Sequence, residues 1–319
     1  MVTAIRYTAA MAGQWDDFVS HARNSTLLHL RKYMDYHADR FHDASLVMLD
    51  DKERIVALLP ACLSRDEKAV ITSHGGLTYG GYIIAPMTHA DMVGEAVEAS
   101  LQFYREQLGA SELIVKPIPY IYNRQPCEEE LYFILRHGGR LTERHLSQAV
   151  CTSDPLPANE LRRRCIAKGR LSGLLFATAE KREEWDEYHR LLTQVLSLHH
   201  STAPVHSAEE LWLLHSRFPD NIKLYTARLD GRLMAGTVVY LSPCVAHTQY
   251  LASSDQGRGI GALDYVIDRV LSEADVRQCA YLDFGVSTER DGTLNQGLTF
   301  QKEGFGARGV CYDTYRINL

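Results

Sequence analysis

A hairpin, a strand, a glycine-rich loop, a helix and a further strand follow one another twice in this chain, offset by about 180 residues, and such a repeat limits the fold before any single motif is weighed. In the first copy "SLVMLDDKERIVALLPACL" reads as a hairpin turning at Asp50-Asp51-Lys52, and "AVITSHGGLTYGGYI" as a strand entering a glycine-rich loop. "DMVGEAVEASLQFYREQLG" then reads as a helix with Val93, Val97, Leu101, Tyr104 and Leu108 on one face and Gly109 as its stop, followed by the strand "SELIVKPIPYI". In the second copy "NIKLYTARLDGRLMAGTVVYLS" is a hairpin turning at Leu229-Asp230-Gly231-Arg232, and "VAHTQYLAS" is the next strand. "SSDQGRGIGALDYVI" leads into a helix carrying Leu263, Val266, Ile267, Val270, Leu271 and Ala274 at the helical period, and "CAYLDFGV" is the closing strand. Residue identity between the copies is weak and element order is shared. We therefore expect an α+β (mixed α/β) chain of two domains, 1–152 and 153–319, parted where proline and polar residues cluster in "TSDPLPANE".

Composition excludes several classes. At 319 residues, 45% hydrophobic and 23% charged, the chain is long enough for two cores and is neither disordered nor fibrous. Seven cysteines scattered without a C-x-x-C pair argue against a disulfide framework and a thiolate zinc site, and point to a reducing cytoplasm. The opening residues meet polar and acidic side chains before any signal-like apolar run, and no segment is long enough to span a membrane. A net charge of -6 gives no overall pull toward nucleic acid, so any RNA contact needs a local basic patch.

The second glycine loop fits two nucleotide patterns. Gly257, Gly259 and Ala262 satisfy G-x-G-x-x-G/A, with Asp283 downstream as a candidate ribose-binding acid. Gln256, Gly259 and Gly261 satisfy Q-x-x-G-x-G/A, the spacing of loops that hold the pyrophosphate of coenzyme A. In both, glycines clear Cβ atoms from backbone N–H groups that face phosphate oxygens. A tight turn with no ligand is the third reading. Element order decides against a dinucleotide, because an antiparallel meander precedes the loop and only about 60 residues follow it, where a Rossmann unit needs a preceding parallel strand and several further βα units.

The meander, Gln256-Gly257-Arg258-Gly259-Ile260-Gly261-Ala262, the helix, "YLDFG" and the closing "NQGLTFQKEGFGARG" together resemble the GNAT acyltransferases. Two such modules in tandem resemble the FemAB/FemX-like branch, and the likeness covers nearly the whole chain. The resemblance implies two tandem GNAT-like domains, each a mixed, mainly antiparallel sheet flanked by helices, and an N-acyltransferase. GNAT enzymes move an acyl group, often acetyl, from a coenzyme A thioester to an amine. Fem-type enzymes take an aminoacyl group from a charged tRNA and add it to a cell-wall precursor. The expected donor here is acetyl-CoA held by residues 256 to 262, with charged tRNA as the alternative, and the expected acceptor is an amine of a small molecule or an envelope precursor. A binding protein without chemistry is the rival outside the enzyme class. Two departures bear on the donor. Phe300 stands four residues before Gly304 where many GNAT enzymes place a tyrosine that protonates the leaving thiolate, and Gln301 separates Phe300 from Lys302 where Fem-type enzymes tend to set Phe and Lys side by side.

Aminolysis needs a positioned amine, a base and donors for the oxyanion. The donor is expected to be a backbone N–H around Tyr250 to Ala252. Asp283 alternates with Leu282 and Phe284 and so should face away from them, toward the helix layer or the acyl cleft, as a base or a structural acid. His247, on the strand before the loop, is the second candidate base, and Lys302 the third catalytic candidate. Glu289 and Asn295, in "STERDGTLNQG", are candidates for binding the acceptor.

His199, His200 and His206 in "SLHHSTAPVHS" lack the i, i+4 spacing of a helical zinc pair, so no metal is expected. That segment should shape the acceptor pocket, with His199 contributing, and end in a capping box of Ser207 and Glu210. "LRRRCIAKGR" is the one basic patch, its Arg162, Arg163, Arg164, Lys168 and Arg170 suited to phosphates or to solvent. The N-terminal "SHGGLTYGG" lacks the Q-x-x-G-x-G/A spacing, so the first domain is expected to be degenerate and to serve the acceptor, with His74, Tyr79 and Tyr82 lining a groove.

Overall fold

Asp230 and Gly231 both take positive φ, 49° and 77°, the backbone that a two-residue hairpin needs to match the twist of its strands. The sequence hairpin therefore forms where its Asp-Gly pair stands. The structure, a computed structural model, describes residues 1–64, 70–200, 202–289 and 291–319, apart from the side chains of residues 199 and 200. The described chain divides into two units: Met1–Leu146 with Cys311–Leu319, and Ser147–Val310. The division falls inside a strand rather than at residues 152–160, and the last nine residues join the first unit.

Unit 1 holds β1 (Thr3–Arg6), α1 (Ala12–His21), α2 (Arg31–Met34), β2 (Leu46–Leu49), β3 (Ile55–Leu59), β4 (Cys62–Leu63), β5 (Val70–Thr72), β6 (Ile83–Ile84), α3 (Ala90–Leu108), β7 (Glu112–Val115) and α4 (Glu129–Arg136). β8 (Arg140–Cys151) carries the chain into unit 2. An antiparallel sheet runs β1-β2-β3-β6. β4 pairs with β5 antiparallel, and β5 with β7 parallel. The helix read from "DMVGEAVEAS" is α3, and Gly109 stops it in the left-handed conformation at φ 60°. Its Val93, Ala96, Val97, Leu101 and Tyr104 form one wall of the unit's core against Leu46, Met48, Ala57 and Ile84. Each fully buried Val or Leu contributes about 1.5–3 kcal/mol, so this face holds the helix to the sheet.

Unit 2 continues with α5 (Glu160–Leu171), β9 (Leu175–Ala179), α6 (Arg182–His200), α7 (Ala208–Arg217), β10 (Ile222–Leu229), β11 (Arg232–Leu241), β12 (Val245–Ser253), α8 (Asp255–Ile260), α9 (Ala262–Val270), α10 (Ala274–Gln278), β13 (Tyr281–Val286) and α11 (Gln296–Glu303). β14 (Arg308–Asn318) returns the chain to unit 1, where Tyr315–Asn318 pair antiparallel with β7. The strand order β9-β10-β11-β12-β13-β8 is antiparallel except for β12 and β13, which run parallel. Both units are thus mixed, mainly antiparallel sheets flanked by helices, as expected. Ser207 and Glu210 form the capping box of α7.

The glycine segment is helical, not an open loop. Ser254 caps α8, its hydroxyl accepting the Gly257 N–H at 3.0 Å, and Gly261 at φ 74° turns the chain into α9. A Cβ on Gly261 would stand 2.3 Å from the Cys165 carbonyl oxygen, and one on Gly169 2.7 Å from Tyr265 Cβ. These two glycines let α5 lie against α9. Val266, Ile267 and Val270 of α9 pack with Leu282 and Phe284 of β13 and Ala246 of β12 to build the core of unit 2. Among the described residues no helix is long and apolar enough to cross a membrane.

Candidate functional site

β12 and β13 pair over three residues only, Val245 with Tyr281, Ala246 with Leu282 and His247 with Asp283. Past that point each strand is distorted. On β12 the register with β11 shifts between Val238, opposite Tyr250, and Val239, opposite Thr248, which leaves Gln249 as a bulge residue. On β13 the register with β8 shifts between Asp283 and Val286, and Gly285 takes φ 74°. Two cavities share residues of these distorted ends. A smaller one, about 460 Å³, is lined by Arg162, Ser253, Arg258, Gly261, Asp264 and Gln301 among others. A larger one, about 1230 Å³, is lined by Gln249, Tyr250, Glu289, Asp291 and Asn295 among others. Leu251, Phe284, Leu298 and Lys302 line both.

Lys302, in the last turn of α11, is 6% exposed, and its Nζ donates to the carbonyl oxygens of Gly285 at 2.7 Å and Val286 at 2.9 Å. Burial pushes its ammonium down to about 8, and the Asp283 carboxylate works against that fall. Asp283 itself has no exposed surface. Its Oδ1 accepts from Ser147 Oγ at 2.5 Å and from the Gly285 N–H at 3.2 Å, and its Oδ2 lies 2.8 Å from His247 Nδ1. Asp283 turns away from Leu282 and Phe284, as their alternation requires, but not into the lining of the two cavities. Leu282 and Phe284 take the side of α9, and Phe284 lines both cavities. A buried carboxylate must be met by donors, and the opposite side offers a hydroxyl, a ring N–H and a backbone N–H. Neither Asp283 nor His247 lines either of these two cavities.

Tyr250 does line the larger cavity. Its hydroxyl sits 2.7 Å from Nδ1 of His206, which is 6% exposed, and burial raises its pKa. Thr202 of the histidine-rich segment lines this cavity, and His206 stands behind Tyr250. Tyr250 was visible in the sequence only as part of a backbone stretch, and nothing in "HTQY" marks its side chain.

Other candidates fall as follows. Asn295 caps α11, accepting from the Leu298 N–H at 2.9 Å, and its amide donates to the Glu289 carboxylate. Both line the larger cavity. Arg258 and Gly261 line the smaller one, whereas Gly257 is fixed by packing, a Cβ there standing 2.2 Å from the Met234 carbonyl oxygen. Gln256 and Gly259 are exposed, and nothing lies within 4 Å of where a Gly259 Cβ would stand. Ile260 and Ala262 anchor the segment to the core. In the basic patch, Arg162 pairs with Asp264 at 2.6 Å and Arg170 with Asp268 at 2.7 Å, so part of it ties α5 to α9. Tyr79 lies in unit 1, 4% exposed among the rings of Tyr122, Tyr312 and His29. His74 and Tyr82 are buried there too. The side chain of His199 lies outside the described residues. Among the described residues no group of three or more His, Cys, Asp or Glu side chains could hold a metal ion.

The model of the acetyltransferase (GNAT) domain family Acetyltransf_6 matches residues 158–291, which lie within unit 2. The second unit is a GNAT domain. Across the whole chain the fold is similar to that of FemX, at 9% identity over 99% of this chain and 97% of that one, with a TM-score of 0.72. It is similar also to L-PGS from Bacillus licheniformis, at 12% identity, 96% and 91% coverage and a TM-score of 0.62. A tandem GNAT protein from the clavulanic acid biosynthesis pathway matches at 13% identity, 100% and 98% coverage and a TM-score of 0.55. No curated protein matches the sequence. The chain thus carries a GNAT acetyltransferase domain within a tandem fold similar to that of FemX.

Proposed function

We propose that the GNAT domain takes an acyl group, acetyl in the simplest case, from a coenzyme A thioester held along β12 and residues 256 to 262, and passes it to an amine in the larger cavity. The observation that carries this reading is the meeting of two cavities on Leu251, Phe284, Leu298 and Lys302, where the paired strands part. The glycine segment suits a pyrophosphate. Gly259 offers exposed backbone with open space above it, Gly261 supplies no side-chain cap to the first N–H groups of α9, and Arg162 and Arg258 line the adjoining cavity.

A thioester brings an electrophilic carbonyl and a thiolate that leaves without much help near neutral pH. That relaxes the need for an acid where Phe300 stands, 58% exposed. An ammonium has three N–H bonds, and Lys302 gives two to Gly285 and Val286. The third serves the oxyanion, beside the backbone freed by the Gln249 bulge. Glu289 and Asp291 provide negative charge for an incoming ammonium. Tyr250 takes its proton as the hydroxyl's own proton passes to His206 Nδ1. Asp283 and His247 act one step back: Asp283 holds the Gly285 N–H and so the turn whose carbonyls hold Lys302. The scattered cysteines and the donor suit a cytoplasmic setting.

A charged tRNA as donor, with an envelope precursor as acceptor, is the second reading. It is favoured by the Asp264 carboxylate on the wall of the smaller cavity and by exposed Arg163, Arg164 and Lys168 on α5. A thermal melt with acetyl-CoA, CoA and NAD separates the readings. At about 100 times its dissociation constant a ligand adds roughly 2.7 kcal/mol, a rise of a few degrees for a chain this size. A rise with the CoA species alone, absent in Gly259→Asp, supports the thioester. No rise with any of them sinks it and directs the work to aminoacyl-tRNA.

A further inference from the structure

Unit 1 carries a cavity of about 570 Å³ between α1 and the strands β1 to β3, and nothing in the acyl transfer uses it. Its floor is apolar. Trp15 and Val47 are buried, and Phe18 and Ile55 complete the wall. Its polar lining is Gln14, Asp17 and Glu53, with no Lys, Arg or His among the lining residues.

Glu53 is the unusual member. It ends the turn between β2 and β3, its N–H donating to the Asp50 carbonyl oxygen at 3.1 Å, and it takes φ 59°. That position favours glycine, and a glutamate there is strained. The strain brings no internal reward, because the Glu53 carboxylate makes no hydrogen bond or ion pair among the described residues. The neighbouring cation does not relieve it: Arg54 is held by Asp50, with Nε 2.8 Å from Oδ2. Asp17 is exposed, and its carboxylate lies 3.7 Å from the His21 ring. An apolar hollow edged by two carboxylates, with no Lys, Arg or His in its lining, is complementary to a positive group on an apolar body.

We propose that this cavity binds a small organic amine, its apolar part against Phe18 and Ile55 above the buried Trp15 and its ammonium against Glu53 and Asp17. The site lies in unit 1 and does not depend on the donor or acceptor assigned to the GNAT domain. Strain at Glu53 is then the mark of a residue kept for its carboxylate.

The test needs a readout local to this cavity, because an amine is also expected in the GNAT domain. Labelling tryptophan with 15N gives indole N–H signals from the three tryptophans, Trp15, Trp185 and Trp212, and Trp15→Phe assigns the first. The protein is titrated with 2-phenylethylamine, and with 2-phenylethanol and 3-phenylpropionate as neutral and anionic counterparts. The Trp15 signal is expected to move saturably with the amine at millimolar concentration or below, and roughly tenfold more weakly with the alcohol. Glu53→Gln should weaken the amine by a similar factor. Glu53→Gly should weaken it equally and raise the melting temperature, since glycine relieves the backbone. No movement of the Trp15 signal up to about 10 mM amine overturns the proposal. So does equal binding of amine and alcohol, or amine binding that survives both Glu53 variants.

Discussion

The Asp283 carboxylate and the His247 ring lie 2.8 Å apart, Oδ2 to Nδ1, with the carboxylate wholly enclosed. Two residues offered by the sequence as rival bases are therefore partners. The same carboxylate holds Gly285 and raises the pKa of Lys302 against its burial. Asp283→Asn removes that charge, so the ammonium of Lys302 is lost at lower pH. The alkaline limb of kcat should shift below about 8, and stability should fall by roughly 1–3 kcal/mol. A pH-rate profile checks it. A role in packing alone would lower the melting temperature and leave the limb in place.

Lys302→Met keeps the length and loses the charge. Loss of one oxyanion donor lowers kcat by roughly 10²–10³, with KM for the donor little changed. Single-turnover rates measure this, and an unchanged rate removes Lys302 from the chemistry.

Tyr250→Phe should lower transfer to an alkylamine by roughly 10²–10⁴, the usual contribution of a positioned proton acceptor. An aromatic amine, neutral at pH 7, needs less help and should lose less. Equal losses for both amines would point to binding and away from proton transfer.

Glu130, on α4, is 4% exposed, and burial pushes its carboxyl up to about 8 although the Tyr82 N–H donates to it at 2.9 Å. The folded chain keeps this proton up to about 8, while the unfolded chain releases it above its ordinary 4.5. The group's contribution to stability is thus full below 4.5 and is lost as pH rises to 8. His29 and His74, pushed down to about 3 by burial, act with the opposite sign up to 6.5. Lys116 and Lys302, both pushed down to about 8, add stability only above that pH. The melting temperature should therefore fall between pH 6.5 and 8, and Glu130→Gln should flatten that fall.

The glycines of the donor segment separate by role. Gly261→Ala places a Cβ 2.3 Å from the Cys165 carbonyl oxygen at φ 74° and should destabilise by roughly 1–3 kcal/mol. Gly259→Ala meets nothing within 4 Å and adds helix propensity, so its melting temperature should hold or rise. Donor affinity, measured by titration, should fall in Gly259→Ala if that backbone meets phosphate.

What was legible in the sequence was local. "VAHTQYLAS" is β12 to the residue, because a β-rich run bounded by turn residues has one good conformation. The Asp-Gly turn, the Gly109 stop and the Ser207 box each rest on chemistry within four residues. What was hidden depended on distant chain. Alternation gave Asp283 a side but could not say what that side faced, since its partners Ser147 and His247 are 136 and 36 residues away. His206 and Tyr250 are 44 apart and meet only because α6 returns the chain beside β12. The bulge at Gln249 is a property of the β11 register, and no residue type announces it.

Unit 1 is assembled from both ends of the described chain, with Tyr315–Asn318 laid against β7 and the whole of unit 2 strung between. On the ribosome the edge of β7 must wait. The GNAT domain is made, and can fold, before the strand that completes its predecessor leaves the exit tunnel. An unpaired β7 edge during that interval is a template for misplaced strands, so nascent chains halted before Cys311 should engage chaperones that the finished protein has no need of.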